Sequence, residues 1–164
     1  MRDLVAGIIA VALLLIALSL ATTLHFFRRR RMRARESERE MGRTVIAEIP
    51  AAEDLLLFSE DPESFHYGRQ VVRKDDIAAA RVLINGIPIA AVVSRLHQDA
   101  AARHPTSFED HPEGIARDRW DVAIETTGGT VLVECGAIRE RVSQELARAV
   151  FDAVKRAVEQ RDGL

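Results

Sequence analysis

The sequence predicts an α+β protein: an N-terminal transmembrane helix, then a bent antiparallel sheet or partly open barrel of about seven strands, capped by a C-terminal amphipathic helix. Three observations carry this. Leu4 to Phe27 is a run of 24 residues with no charge beyond that of His25. Several short runs of alternating polarity follow, two of them joined by hairpin turn residues. The last twenty or so residues repeat apolar side chains at helical spacing.

At 1.5 Å per residue the apolar run extends about 36 Å, against a hydrocarbon core of roughly 30 Å. Ser19, Thr22 and Thr23 are its polar exceptions, and each can bond back to a helix carbonyl. A buried soluble helix is the plain alternative, but nearly every side chain around this one is apolar. A cleaved signal peptide is the stronger rival, since Ser19-Leu20-Ala21 offers small residues at a peptidase spacing. The run continues past that point to Phe27, beyond an h-region of about 7–15 residues. An uncleaved anchor over residues 1–27 is therefore the expectation.

Arg28, Arg29, Arg30, Arg31, Arg33, Arg35 and Arg39 follow the run, whereas only Arg2 precedes it, beside Asp3. The positive-inside bias then keeps the C-terminal side in the cytoplasm and the N-terminus outside. The site residues expected at the membrane surface are Arg28, Arg29, Arg30, Arg31, Arg33 and Arg35. The expected location is the inner (plasma) membrane, with the lipid bilayer as first partner. Residues 28–42 read as a basic helical stalk. They are rich in helix formers, Glu36 and Arg39 are spaced to pair, and Gly42 sits where a C′ residue ends a helix.

Charge divides the chain. Residues 1–39 hold eight Lys/Arg and three Asp/Glu, a balance of +5; residues 40–164 hold 15 and 22, a balance of −7. A body at −7 repels phosphate backbones, so nucleic acid is not an expected partner. Cys135 is the single cysteine, which leaves no intrachain disulfide.

In the domain of residues 43–164, the clearest element is Trp120 to Gly136. Two alternating runs flank Gly128-Gly129, read as a two-residue turn. That register pairs Thr126 with Val131, Ile124 with Val133 and Val122 with Cys135, all on one face. Ser143 is the expected N-cap of the final helix. Leu146, Ala149, Val150, Ala153, Val154, Ala157 and Val158 line its buried face to about Gln160, with Phe151 at the edge of the stripe. Upstream, strands are expected at Thr44–Ile49, Leu55–Ser59, Phe65–Arg73, Ile77–Asn85 and Ile87–Val93. Asn85-Gly86 forms a hairpin turn and Pro88 marks an edge strand. Asp75-Asp76 can cap a short helix. Ser94–Arg103 can form a helical turn, and His104–Arg117, with Pro105, Pro112 and Gly114, reads as a loop.

Taken in order, the strand "RWDVAIETTGG", the returning strand "TVLVECG", the helix "SQELARAVFDAVKRAVE" and the spacing "VVRKDDIAAARVLI" resemble the bacterial pleckstrin-homology-like (PH-like) domain. The resemblance covers about residues 43–160. It implies a bent seven-stranded sheet closed at one end by a C-terminal helix. Lipid-binding members of the wider family carry basic residues around the first inter-strand loop. Here that loop is Pro50 to Asp54, with Glu53 and Asp54, so inositol phosphate binding there is not expected.

Chemistry-bearing residues are sparse. His97, His104 and His111 recur every seven residues among acidic neighbours, but Pro105 and Pro112 disrupt any shared helix and no HExxH or paired-cysteine spacing is present. Cys135 falls on the inward face of the hairpin, beside Glu134, which suits a buried thiol rather than a nucleophile. Trp120 reads as a strand aromatic at the sheet rim. No catalytic or metal site, cofactor or small-molecule substrate is expected. The leading expectation is a non-enzymatic, membrane-anchored scaffold that presents a protein-interaction domain. One alternative is an accessory subunit packed through its span, where Ala6, Gly7 and Ala10 permit close helix approach. The other is a tethered metal-dependent hydrolase using the histidine loop.

Overall fold

The computed structural model describes residues 2–51, 55–97 and 119–163, with side chains from residue 12 onward except Leu24 and Phe27. Two compact units emerge, Met1–Met41 and Gly42–Leu164.

The first unit is one helix, α1 (Arg2–Glu40). It passes without a break from the apolar run into the arginines. Thr22 Oγ1 donates to the carbonyls of Leu18 at 3.0 Å and Ser19 at 2.8 Å, and Thr23 Oγ1 donates to Ser19 O at 2.8 Å. These bonds satisfy the hydroxyls within the helix itself. The helix stops where expected: the Met41 N–H returns to Ser37 O at 3.1 Å, and Gly42 turns to φ +74°.

The second unit holds two four-stranded antiparallel sheets. β1 (Thr44–Pro50), β2 (Leu55–Glu60), β3 (Ser64–Tyr67) and β4 (Gln70–Arg73) form a meander in sequence order. A 3₁₀ turn, Lys74–Asp76, leads out of it. The second sheet contains β5 (Ile77–Ile84), β6 (Ile87–Val93), β7 (Arg119–Thr126) and β8 (Gly129–Ala137), in the order β6-β5-β7-β8. Helix α2 (Arg141–Arg161) touches β1, β5, β7 and β8.

The core lies between the sheets and α2. Phe58 and Phe65 stack with ring centroids 5.4 Å apart. Ile49, Ile77, Val122, Ile124 and Val133 surround them, and Val150, Val154 and Val158 of α2 close the third side, all fully buried. Burying each such valine contributes about 1.5–3 kcal/mol, which fixes α2 on the sheets. The expected apolar stripe is the buried one, with Leu146 and Phe151 packed at its border and Ala147 added to it.

Four sequence expectations change in detail. Among the described residues the domain has eight strands rather than about seven, because Gly68, at φ +59°, folds the expected strand Phe65–Arg73 into the hairpin β3–β4. The β7–β8 turn is Thr127-Gly128 rather than Gly128-Gly129, since Thr126 pairs with Gly129 and Ile124 with Val131. The slip is two residues, so each side chain keeps its face. Cys135 does not pair with Val122; it occupies a bulge where Asp121 pairs with Glu134 and Trp120 with Gly136. Ser143 is not the N-cap: α2 starts three residues earlier than expected, after Glu140, and Ser143 is buried in the first turn with Oγ 3.4 Å from Glu140 Oε2.

Candidate membrane anchor and docking edge

Arg28, Arg29, Arg30 and Arg31 are consecutive in one uninterrupted helix. Successive residues step by 100°, so the four spread around the whole circumference as a collar. Arg35 and Arg39 prolong the stripe begun by Arg28 and Arg31, while Arg33 lies between Arg29 and Arg30 in projection. Before the collar, Leu13, Leu14, Leu15, Ile16, Leu18, Leu20 and Phe26 are largely exposed. By length and composition this helix is able to cross a membrane, and it is the one such helix among the described residues. Its described side chains are thus mostly apolar before the collar and charged at it.

In the second unit, the one cysteine is inert. Cys135 is fully buried, and burial, with the Asp121 charge adding to it, pushes its thiol up to about 12. Trp120 packs against the core from the rim of the sheet, as its position suggested, with its indole nitrogen buried. Beside it the charge of Arg119 is taken up by Asp121 at 2.7 Å and Glu134 at 2.9 Å. His97 is half-buried in the turn after β6, while His104 and His111 lie outside the described residues. Among the described residues no group of three or more His, Cys, Asp or Glu is placed to hold a metal ion.

One cluster escaped the reading of the sequence. His66 Nε2 lies 2.6 Å from Asp61 Oδ2, and Ser59 stands directly opposite His66 in the β2–β3 ladder. Asp61 Oδ1 accepts the backbone N–H groups of Glu63 at 2.8 Å and Ser64 at 2.6 Å. The bond from His66 holds the Asp61 carboxyl below its ordinary range, against the opposing effect of burial, and the two amides add to it. Lys74 Nζ covers the same turn, 2.7 Å from Asp61 O and 5.0 Å from the centre of the Phe65 ring. Ser, His and Asp thus meet, but Ser59 is only 1 % exposed, too enclosed to attack a substrate. The cluster builds the β2–β3 turn. Its signal in the sequence was Asp61-Pro62-Glu63-Ser64, a turn tetrapeptide whose aspartate bonds its own backbone two residues on.

The surface that stands apart is β6. All seven of its residues, Ile87–Val93, are apolar, and all but Val92 are exposed. Among the described strands it is an outer one of its sheet, as Pro88 indicated, and it leaves the Asn85-Gly86 turn with both residues at positive φ. Ile87, Ile89, Val93 and, just beyond, Leu96 are large side chains left in water. An apolar edge strand is a ready template for another strand.

Compared with family models, curated proteins and solved structures, the chain matches none.

Proposed function

We propose that the protein is a non-enzymatic, single-pass membrane protein that holds a protein-interaction domain against the cytoplasmic face of the inner membrane. One observation carries the reading: α1 runs unbroken from an exposed apolar cylinder into a full collar of arginines. That is the build of a span stopped at a charged interface. The seven arginines after the span, against one before it, support a cytoplasmic domain. The two antiparallel sheets closed by α2 are compatible with a PH-like body. The acid balance of residues 40–164 disfavours nucleic acid and anionic headgroups as ligands of that body and favours a protein partner. Anchoring raises the local concentration of the domain beside other membrane proteins.

Membranes washed at alkaline pH, followed by mild cross-linking and affinity isolation from detergent, test the reading. The protein is expected to stay with the washed membranes and to be captured in a cross-linked complex. Release into the wash contradicts the anchor, and recovery without any cross-linked species contradicts the interaction role.

A further inference from the structure

The N–H of Ser94, one residue past β6, donates to Ala78 O at 2.8 Å. In an antiparallel ladder, residues alternate between exchanging both bonds with the neighbouring strand and turning both away. Val92 and Ala90, opposite Ala80 and Val82, therefore bond inward to β5 like Ser94. Ala91 and Val93 turn their N–H and C=O groups outward. Pro88, with the bulge at Val82/Leu83, blunts the first half of the strand. The second half carries neither proline nor charge. By contrast, β4, an outer strand of the first sheet, ends in Arg73.

We propose that β6 is completed by β6 of a second copy of this chain, antiparallel about Val92, so that Ala91 of each copy lies opposite Val93 of the other. The outward groups are self-complementary in that register. Each Ala91–Val93 pair exchanges two backbone hydrogen bonds, and symmetry doubles them. No like charges meet across the axis. Arg95 comes opposite Ile89, and the Arg81 side chain, next to Ala91 on β5, is held by Glu125 at 3.3 Å. The result is a continuous sheet of eight strands that buries Ile89 and Val93. A strand pair this short covers less than the roughly 1,200 Å² at which specific complexes become stable, so the contact is weak between free domains. This step rests on the anchored reading above, because the span confines copies to one plane and makes a weak contact sufficient.

The test uses the full chain in lipid vesicles, with a nitroxide on an introduced cysteine, Ala91→Cys. The buried Cys135 is left unlabelled by the reagent. A second sample carries the label at Val71→Cys, on β4 of the other sheet, where Val71 is exposed. Strand neighbours lie about 4.8 Å apart, so labels at position 91 should broaden each other strongly. The broadening should vanish on tenfold dilution with unlabelled protein and be absent at position 71. Val93→Pro removes an outward donor and leaves the ladder to β5 intact, and it should abolish the effect. Val93→Lys is the second variant, with the same expectation should the proline variant not fold. Absence of broadening at 91, equal broadening at 71, or broadening that survives the folded variant overturns the proposal. Vesicle flotation reads the anchor separately. A chain that does not float contradicts the span, and the same labels in concentrated solution then decide the edge contact by itself.

Discussion

Arg161 Nη1 lies 2.8 Å from the carbonyl oxygen of Lys74 and 2.9 Å from that of Asp75, so the last turn of α2 is fastened to the 3₁₀ turn between the two sheets. The same guanidinium reaches Ser94 Oγ through Nη2 and Asp162 Oδ1 through Nε at 3.0 Å. Asp162, whose side chain has no exposed surface, accepts the Arg95 N–H at 2.7 Å. One side chain thus joins the end of the chain, the exit of β6 and the entry to β5.

Arg161→Ala should therefore destabilise the domain by about 1–3 kcal/mol, because it removes the charged partner of an enclosed carboxylate and the donors to two turn carbonyls. Arg161→Lys should recover only part of this, since an ammonium has three donors and cannot serve the four acceptors that the guanidinium reaches. Denaturant unfolding followed by tryptophan fluorescence from Trp120 measures both.

Acid should weaken the fold through two aspartates. Burial acts to raise the Asp162 carboxyl, but the Arg95 N–H, Arg161 and Ser94 outweigh it and hold the group below its ordinary value of 3.8. Asp61 is lowered chiefly by His66. A depressed folded value means that the stabilisation is complete above the unfolded value near 3.8 and fades as pH falls through the folded value. The melting temperature should drop steeply below about pH 4. Asp61→Asn and Asp162→Asn should each lower the plateau at neutral pH and flatten that acid limb; a limb unchanged in both variants would contradict the assignment.

Glycines separate the observed β7–β8 register from the expected one. Gly129 sits at φ +149° within the strand, whereas Gly128 of the turn is not at positive φ. Gly129→Ala should cost more stability than Gly128→Ala, by about 1 kcal/mol. Gly136→Ala should be worse than either, since a Cβ there would meet Ser143 Oγ at 2.6 Å and Gly136 has φ +113°. Thermal unfolding of the three variants ranks them.

How much of this was written in the sequence differs by element. The long apolar helix, its end at Gly42, the edge position of Pro88 and the stripe of α2 rest on local rules of length, φ and periodicity, and all were readable. The hairpin was also readable, but not which two residues form its turn. That choice is settled by a contact distant in sequence, the Thr127 N–H to Asp76 O at 3.0 Å, together with a local bond from Thr126 Oγ1 to Gly129 O at 2.8 Å. Ser143 is a good N-cap by type, yet it is drawn into the helix because its side chain packs under Gly136, where any Cβ would clash. The His66–Asp61 contact needed the β2–β3 hairpin to exist before the two residues could be neighbours. The docking edge was visible as an apolar strand with a proline, but its outward pair Ala91 and Val93 follows only from the Ser94–Ala78 bond.

The membrane topology of the full chain tests the account most directly. A reporter active only in the cytoplasm, fused after Leu164, should be active, and one that works only after export should be silent. Replacing Arg28, Arg29, Arg30, Arg31, Arg33 and Arg35 with Gln, while adding lysines before Leu4, should weaken or invert that pattern. An exported C-terminus in the unaltered chain, or a mature protein beginning near Thr22, would contradict the anchor and the cytoplasmic docking role built on it.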